Sequence, residues 1–271
     1  MKTKLTHILF GLLVGVLFFL LFKILYAQRW EALSYTHAYF ILPVSIWLVW
    51  RMRKDLNSLY AQTQSKFEID QLIILALGFL IYLFGWRQDY MVIATFALIP
   101  FLLGYAGFVY GKKVQNKVLF PIFYLLFLVP PPFAILDRIT NPLRYISAYG
   151  VEAIFKLFRF PITREGLMYV VKGKPMVVDG ACSGFNSLIT MLCLGVVYVY
   201  VMNHRLSKKL VMLASVVPLA IIGNIIRILC ISLLDIYLGH EVAMGFMHNF
   251  SGIIIFLFII LGFVGIERIY K

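Results

Sequence analysis

Three polar side chains set in apolar surroundings could do covalent chemistry in this 271-residue chain. Cys182 lies in Asp179-Gly180-Ala181-Cys182-Ser183-Gly184, at the start of an apolar run. Arg227 closes Gly223-Asn224-Ile225-Ile226-Arg227, inside a second run, and His248 opens a third in Met247-His248-Asn249-Phe250-Ser251-Gly252. A thiol at a helix N-terminus feels unpaired N–H groups and the positive end of the helix dipole, which favour thiolate. The small residues Ser183 and Gly184 beside it leave room for a substrate backbone. A guanidinium can stabilise a thiolate or an oxyanion and an imidazole can move the proton, so the trio is the set that acyl transfer through a thiol needs. Each residue also has a plainer reading taken singly: Cys182 as a small packing residue, Arg227 as a snorkelling or ion-paired cation, His248 as an interfacial anchor. Asn224, one turn before Arg227 on the same helical face, is placed to help hold it. Asp179 could orient a cation at the site, or simply serve the Asp-Gly turn.

These residues must be carried by membrane helices. The chain is 62% hydrophobic and 14% charged, with a mean hydropathy of +0.91; a soluble domain is roughly 45–50% apolar and about 25% charged. With 3 cysteines, a disulfide scaffold or paired CxxC module is excluded. The net charge of +13 is therefore not read as a nucleic-acid footprint, and no nucleic-acid partner is expected. Runs of about 20 apolar residues predict an all-α polytopic membrane protein of about eight transmembrane helices, near 5–25, 32–50, 69–86, 90–110, 118–136, 183–203, 209–234 and 244–266. The fifth is expected to end early at Pro130, Pro131 and Pro132.

Basic residues gather in alternate loops: Lys2 and Lys4, then Arg51, Arg53, Lys54 and Lys66, then Lys112, Lys113 and Lys117, then Arg205, Lys208 and Lys209, then Arg268 and Lys271; the long segment 137–181 carries seven more, which weigh less because long translocated segments escape the rule. By the positive-inside rule these loops and both termini are cytoplasmic, which places the chain in the cytoplasmic (inner) membrane as a multi-pass protein. The apolar stretch after Lys4 is long for a signal sequence and has no A-x-A site behind it, so it reads as a retained first helix. Arg227 lies eighteen residues past Lys209, a rise of about 27 Å against a hydrocarbon core of ~30 Å. Arg227, Cys182 and His248 are thus all expected at the outer boundary, on three different helices. No repeat or separate soluble domain is evident, so residues 1–271 read as one integral membrane domain.

The one long outer segment, 137–181, is expected to form a small extracytoplasmic cap. Asn141-Pro142 signals a helix start, and Leu143, Ile146, Val151, Ile154, Phe155 and Phe158 alternate with basic residues such as Arg144 and Lys156 up to Pro161. This predicts either a helix lying in the interface with snorkelling basic side chains or a plain amphipathic packing helix. Met168–Val171 and Met176–Val178, separated by Lys172-Gly173-Lys174-Pro175, predict two short strands around a turn. His37, with Tyr35 and Tyr39, is expected either to line substrate access or to anchor the second span at the interface. His240 reads as a boundary residue. No H-e-x-x-h metal spacing and no glycine-rich phosphate loop occurs, so no metal and no cofactor is expected.

At these residues the chain resembles the exosortase/archaeosortase family of polytopic membrane proteins. The resemblance rests on Ala181-Cys182-Ser183-Gly184, then Asn224-x-x-Arg227, then His248 followed by Gly252. Upstream, Thr36-His37-x-Tyr39-x-Ile41-Leu42-Pro43 leading to Trp50-Arg51, and Phe127-Leu128-Val129-Pro130, are similar to further family signatures. The resemblance implies a membrane-embedded cysteine transpeptidase or protease with Cys182 as nucleophile and Arg227 and His248 completing the site. Its implied partners are membrane lipid and secreted proteins that end in a short motif such as Pro-Glu-Pro (the PEP-CTERM type), a transmembrane helix and a basic tail. Histidine at the third site position is like the exosortase branch.

Two other classes fit parts of the pattern. A membrane thiol–disulfide oxidoreductase would use Cys182 with Cys230 or Cys193, although no C-x-x-C pair exists. A polytopic transporter is suggested by the intramembrane Arg227, but transporter sites lie near the midplane between repeats.

Overall fold

A computed structural model describes residues 2–27, 37–62, 69–129, 131, 133–178, 184–202, 205–245, 257 and 260–268. Contacts divide the chain into two compact units, Met1–Pro132 and Phe133–Lys271.

The first unit holds helices α1 (Lys2–Leu25), α2 (Ala38–Arg51), α3 (Arg53–Ala61), α4 (Ile69–Arg87), α5 (Met91–Phe96), α6 (Leu98–Tyr110) and α7 (Lys112–Tyr124). In a membrane, helices associate through close packing and interhelical hydrogen bonds rather than hydrophobicity. The α4/α6 pair shows the first, and α7 adds the second to both. A Cβ added to Gly78 would collide with the backbone of Phe101, and one on Gly104 with that of Leu75. The buried Gln115 on α7 donates to Gln71 Oε1 at 2.6 Å and to the Leu103 carbonyl at 3.2 Å. Phe18 of α1 packs its ring on Tyr82 and Phe101, with centroids 5.1 and 5.7 Å apart.

The predicted fifth span ends early, as the proline run led one to expect. After Tyr124 the chain tightens into a 3-10 turn over Leu125–Leu128 and becomes extended at Val129, because the ring of a following proline excludes helical backbone from the residue before it. Pro130 itself lies outside the described residues.

The second unit holds α8 (Phe133–Leu157), strands β1 (Ile162–Glu165), β2 (Met168–Val171) and β3 (Lys174–Val177), then α9 (Phe185–Val201), α10 (Leu206–Leu238) and α11 (His240–Met244). Residues 260–268 are also helical. The three strands form one antiparallel sheet in the order β1-β2-β3. Lys172 and Gly173, both with positive φ, make the two-residue turn that suits the twist of a hairpin. Alternation along β2 turns Tyr169 and Val171 inward onto Ala148, Val151 and Phe155 of α8 and Ile228 of α10.

One sequence expectation is met only in part and two are corrected. Among the described residues, three helices are long and apolar enough to cross a membrane: Ile69–Arg87, Met91–Tyr110 and Leu206–Leu238. Val14–Leu25, Ala38–Arg51 and Phe185–Val201 are shorter apolar helices, so eight full-length spans are not borne out. Secondly, the cap contains, beside the two expected strands, a third strand, β1, that hydropathy did not reveal: Ile162-Thr163-Arg164-Glu165 has one apolar residue, and its pairing with β2 carries it. Thirdly, α8 begins at Phe133 rather than at Asn141-Pro142, with Pro142 inside the helix. A proline there removes one backbone hydrogen bond; the helix is held by the stripe Thr140, Ser147, Ala148, Val151 and Phe155, which is buried. Ile146 and Phe158, expected on a face turned either to the membrane interface or to packing, are exposed.

Candidate active site

The strand that leads toward Cys182 is fixed at its exit. Val178 is 1% exposed; its N–H donates to the Leu167 carbonyl at 3.0 Å, and its own carbonyl accepts from Arg144 Nε at 2.9 Å. Arg144 was expected either to snorkel toward headgroups or to lie on the polar face of a packing helix. Instead it holds the end of the sheet to α8.

Asp179, Cys182 and Ser183 lie outside the described residues, as does His248. The chain is described again at Gly184, which caps α9 in the left-handed conformation, φ +77° and ψ −2°. Its carbonyl accepts the first helical bond, from Leu188 N–H at 2.9 Å. Glycine is required there twice over. L-residues with a Cβ pay a steric penalty at that φ, and a Cβ would sit 2.9 Å from Asn224 Cγ and 3.0 Å from Asn224 Cβ. The start of α9 therefore rests directly on the side chain of Asn224.

Asn224 is 1% exposed, and its Nδ2 donates to Ser147 Oγ on α8 at 2.9 Å. A hydrogen bond between two buried side chains in apolar surroundings is directional and fixes the rotation of both helices. Gly184, Asn224 and Ser147 thus knot α9, α10 and α8 together, and a small cleft bounded by Leu143, Leu188, Ala220 and Ile221 lies beside the knot. Asn224 was expected to steady Arg227; its bond to Ser147 makes it a joint between helices. Ser147 was missed in the sequence, where its signal was a hydroxyl four residues before Val151 on a buried stripe.

Arg227 follows one turn later on α10, half-buried, about 4.5 Å further along the axis. α10 is 33 residues long, roughly 50 Å, so it exceeds a ~30 Å hydrocarbon core by several turns. Its turns beyond Arg227 are bound to the sheet. Tyr169 and Ser232 share a buried hydroxyl hydrogen bond of 2.8 Å. Lys174 donates to the Asp235 carbonyl and sits 3.4 Å from its carboxylate, while His240 Nδ1 lies 3.3 Å from the other carboxylate oxygen.

At the far end of α9, residues 260–268 pack alongside. Phe263 meets the Tyr198 ring at 5.4 Å, and Tyr198 donates to the Glu267 carboxylate. On the cap, Glu152 accepts from Lys156 at 2.7 Å and from Arg164. The Lys156 bond, then the Arg164 bond, hold the Glu152 carboxyl below the usual carboxylate range.

The remaining sulfur and imidazole groups are placed as follows. Cys193 is buried within α9, and Cys230, one turn beyond Arg227, is exposed. His37 belongs to the first unit, 2% exposed, with its ring beside the backbone of Phe127. It is buried between elements rather than anchored in an exposed interface. That contact joins the two upstream motifs, Thr36–Pro43 and Phe127–Pro130, and the Ser45 hydroxyl donating to the Pro121 carbonyl at 2.8 Å reinforces it.

The profile of the transmembrane exosortase family matches residues 30–265, most of the chain. No curated protein and no solved structure matches it. The matched stretch takes in both upstream motifs, the Gly184–Asn224 joint and Arg227, in a chain with helices able to cross a membrane. This multi-pass membrane protein belongs to the transmembrane exosortase family.

Proposed function

We propose that the protein is a membrane-embedded cysteine transpeptidase or protease that removes C-terminal sorting signals of the PEP-CTERM type from secreted proteins at the outer face of the cytoplasmic membrane. The observation that carries this reading is the seating of Gly184 on Asn224. Gly184 is two residues beyond Cys182 in the chain, a reach of about 7 Å at most, and Asn224 is one helical turn from Arg227. A thiol on such a tether can come within reach of a guanidinium, the neighbour that a nucleophilic thiolate needs. The distribution of Lys and Arg supports cytoplasmic termini and an extracytoplasmic site.

In this mechanism the Cys182 thiolate adds to the peptide carbonyl carbon just outside the bilayer. Arg227 stabilises the negative charge, first on sulfur and then on the tetrahedral oxygen. The C–N bond breaks as the amine takes a proton from the His248 imidazolium, and the membrane anchor leaves as a free amine. The N-terminal fragment remains as a thioester on Cys182. Water or an acceptor amine or hydroxyl, deprotonated by the now neutral His248, attacks the thioester and restores the thiolate. Ser183 and Gly184 leave space for the substrate chain, and Asp179 steadies the cationic pair.

The test is direct. Purified wild type and Cys182→Ala are incubated with a reporter bearing a C-terminal anchor; cleavage is expected from the first alone. Equal processing by the alanine variant would discard nucleophilic catalysis.

A further inference from the structure

Within the first unit, α2 and α3 present one continuous stripe to α6 and α7, and the four helices enclose a groove of about 590 Å³. The groove has two chemically different ends. Its throat is lined by Leu42, Ile46, Val49, Val118, Ile122 and Leu125. Its mouth is lined by Arg53, Asn57, Tyr60, Tyr105 and Tyr110, with Tyr110 packed edge-on against both Tyr60 and Tyr105 at 5.7 and 5.9 Å between centroids. The mouth lies where the basic loops gather, so it opens toward the predicted cytoplasmic headgroup layer. Ile46 and Trp50, which also line the groove, are 61% and 58% exposed, so it is open along its side to the surrounding medium.

We propose that this groove is a binding site for one anionic phospholipid of the inner leaflet, with an acyl chain in the throat and the phosphate at Arg53. Charge decides the headgroup. Two of the nearby lysines are already paired: Lys117 with Asp55 at 2.8 Å and Lys112 with Asp70 at 3.5 Å. Arg53 is not, because among the described residues no carboxylate pairs with it. Its guanidinium lies over the Trp50 ring at 4.1 Å and donates to the Trp50 carbonyl at 3.2 Å, which fixes it at the mouth with donors to spare. Tyrosine hydroxyls and the Asn57 amide supply further donors to phosphate and glycerol oxygens. Size decides the rest. A helix with its side chains is 10–12 Å across, so this volume admits roughly one turn, too little for a substrate's membrane-spanning helix. A basic substrate tail would also be repelled at Arg53.

The full chain is purified in mild detergent, loaded with equal amounts of phosphatidylglycerol and phosphatidylcholine of matched chain length, and delipidated stepwise. Bound lipid is then counted by mass spectrometry of the intact complex. Wild type is expected to retain phosphatidylglycerol about fivefold over phosphatidylcholine, the scale of one juxtamembrane cation. Arg53→Gln should bring that ratio to unity, and Ala106→Phe, which fills the groove wall, should lower retention of both lipids. Arg53 is exposed, so its replacement leaves folding intact and carries the test even where Ala106→Phe unfolds. Equal retention of the two lipids by wild type, or a preference unchanged in Arg53→Gln, would overturn the proposal. So would stoichiometric displacement of the lipid by a single-span peptide with a basic tail.

Discussion

Gly184→Ala probes the joint on which the site reading rests. The added Cβ is held at φ +77°, a conformation that costs an L-residue about 1–2 kcal/mol. It also meets Asn224 Cγ at 2.9 Å and Nδ2 at 3.1 Å, so Asn224 must move and its hydrogen bond to Ser147 is lost, about 0.6–2 kcal/mol in a membrane protein. The sum is roughly 2–4 kcal/mol. Reversible unfolding in mixed lipid–SDS micelles measures it. Asn224→Ala removes Cγ and Nδ2 in advance, so the double variant should be less destabilised than the two single variants together, by about 1 kcal/mol of coupling. A cost below about 0.5 kcal/mol for Gly184→Ala, or costs that add within that margin, would refute the contact.

Other predictions address charge and orientation. Arg227→Lys keeps a cation but loses the planar fork, so kcat should fall by about 10²–10³ with KM little changed; an unchanged kcat removes Arg227 from the charge-stabilising role. Because the Glu152 carboxyl is held below its ordinary range, its ion pairs contribute fully above the unfolded value near 4.3 and are lost as pH falls through the lower folded value. Hydrogen exchange of residues 133–178 should therefore quicken on acidification below about pH 4.3, and Glu152→Gln should flatten that dependence. In a chain whose 3 native cysteines are replaced by serine, Glu165→Cys should react with a membrane-impermeant maleimide in intact cells, and Lys208→Cys only after permeabilisation. The reverse pattern would invert the topology.

Part of this architecture could be read from residue order. The Met168–Val178 strands announced themselves because alternation and the Lys172-Gly173 turn are local signals, and the early end of the helix before Pro130 follows from proline sterics alone. What escaped the reading depends on partners distant in sequence. β1 exists because β2 pairs with it. Pro142 is tolerated within α8 because a buried face outweighs one missing hydrogen bond. Ser147 and Arg144 looked like ordinary residues of an amphipathic helix; their roles appear only with Asn224 and Val178 beside them. Hydropathy located apolar runs well but not their lengths, since a run such as 118–136 can hold a helix, a 3-10 turn and an extended residue in succession. Of the candidate site, Gly184 and Asn224 were legible as small and polar residues near Cys182 and Arg227. Their mutual contact was not.

The central claim is covalent: the substrate's N-terminal fragment passes through a thioester on Cys182. Rapid acid quenching of wild type with an anchored substrate, followed by peptide mapping, should yield the Cys182 peptide carrying that fragment, released by hydroxylamine. Cleavage proceeding with no such adduct, or with the fragment on Cys230 instead, would contradict it.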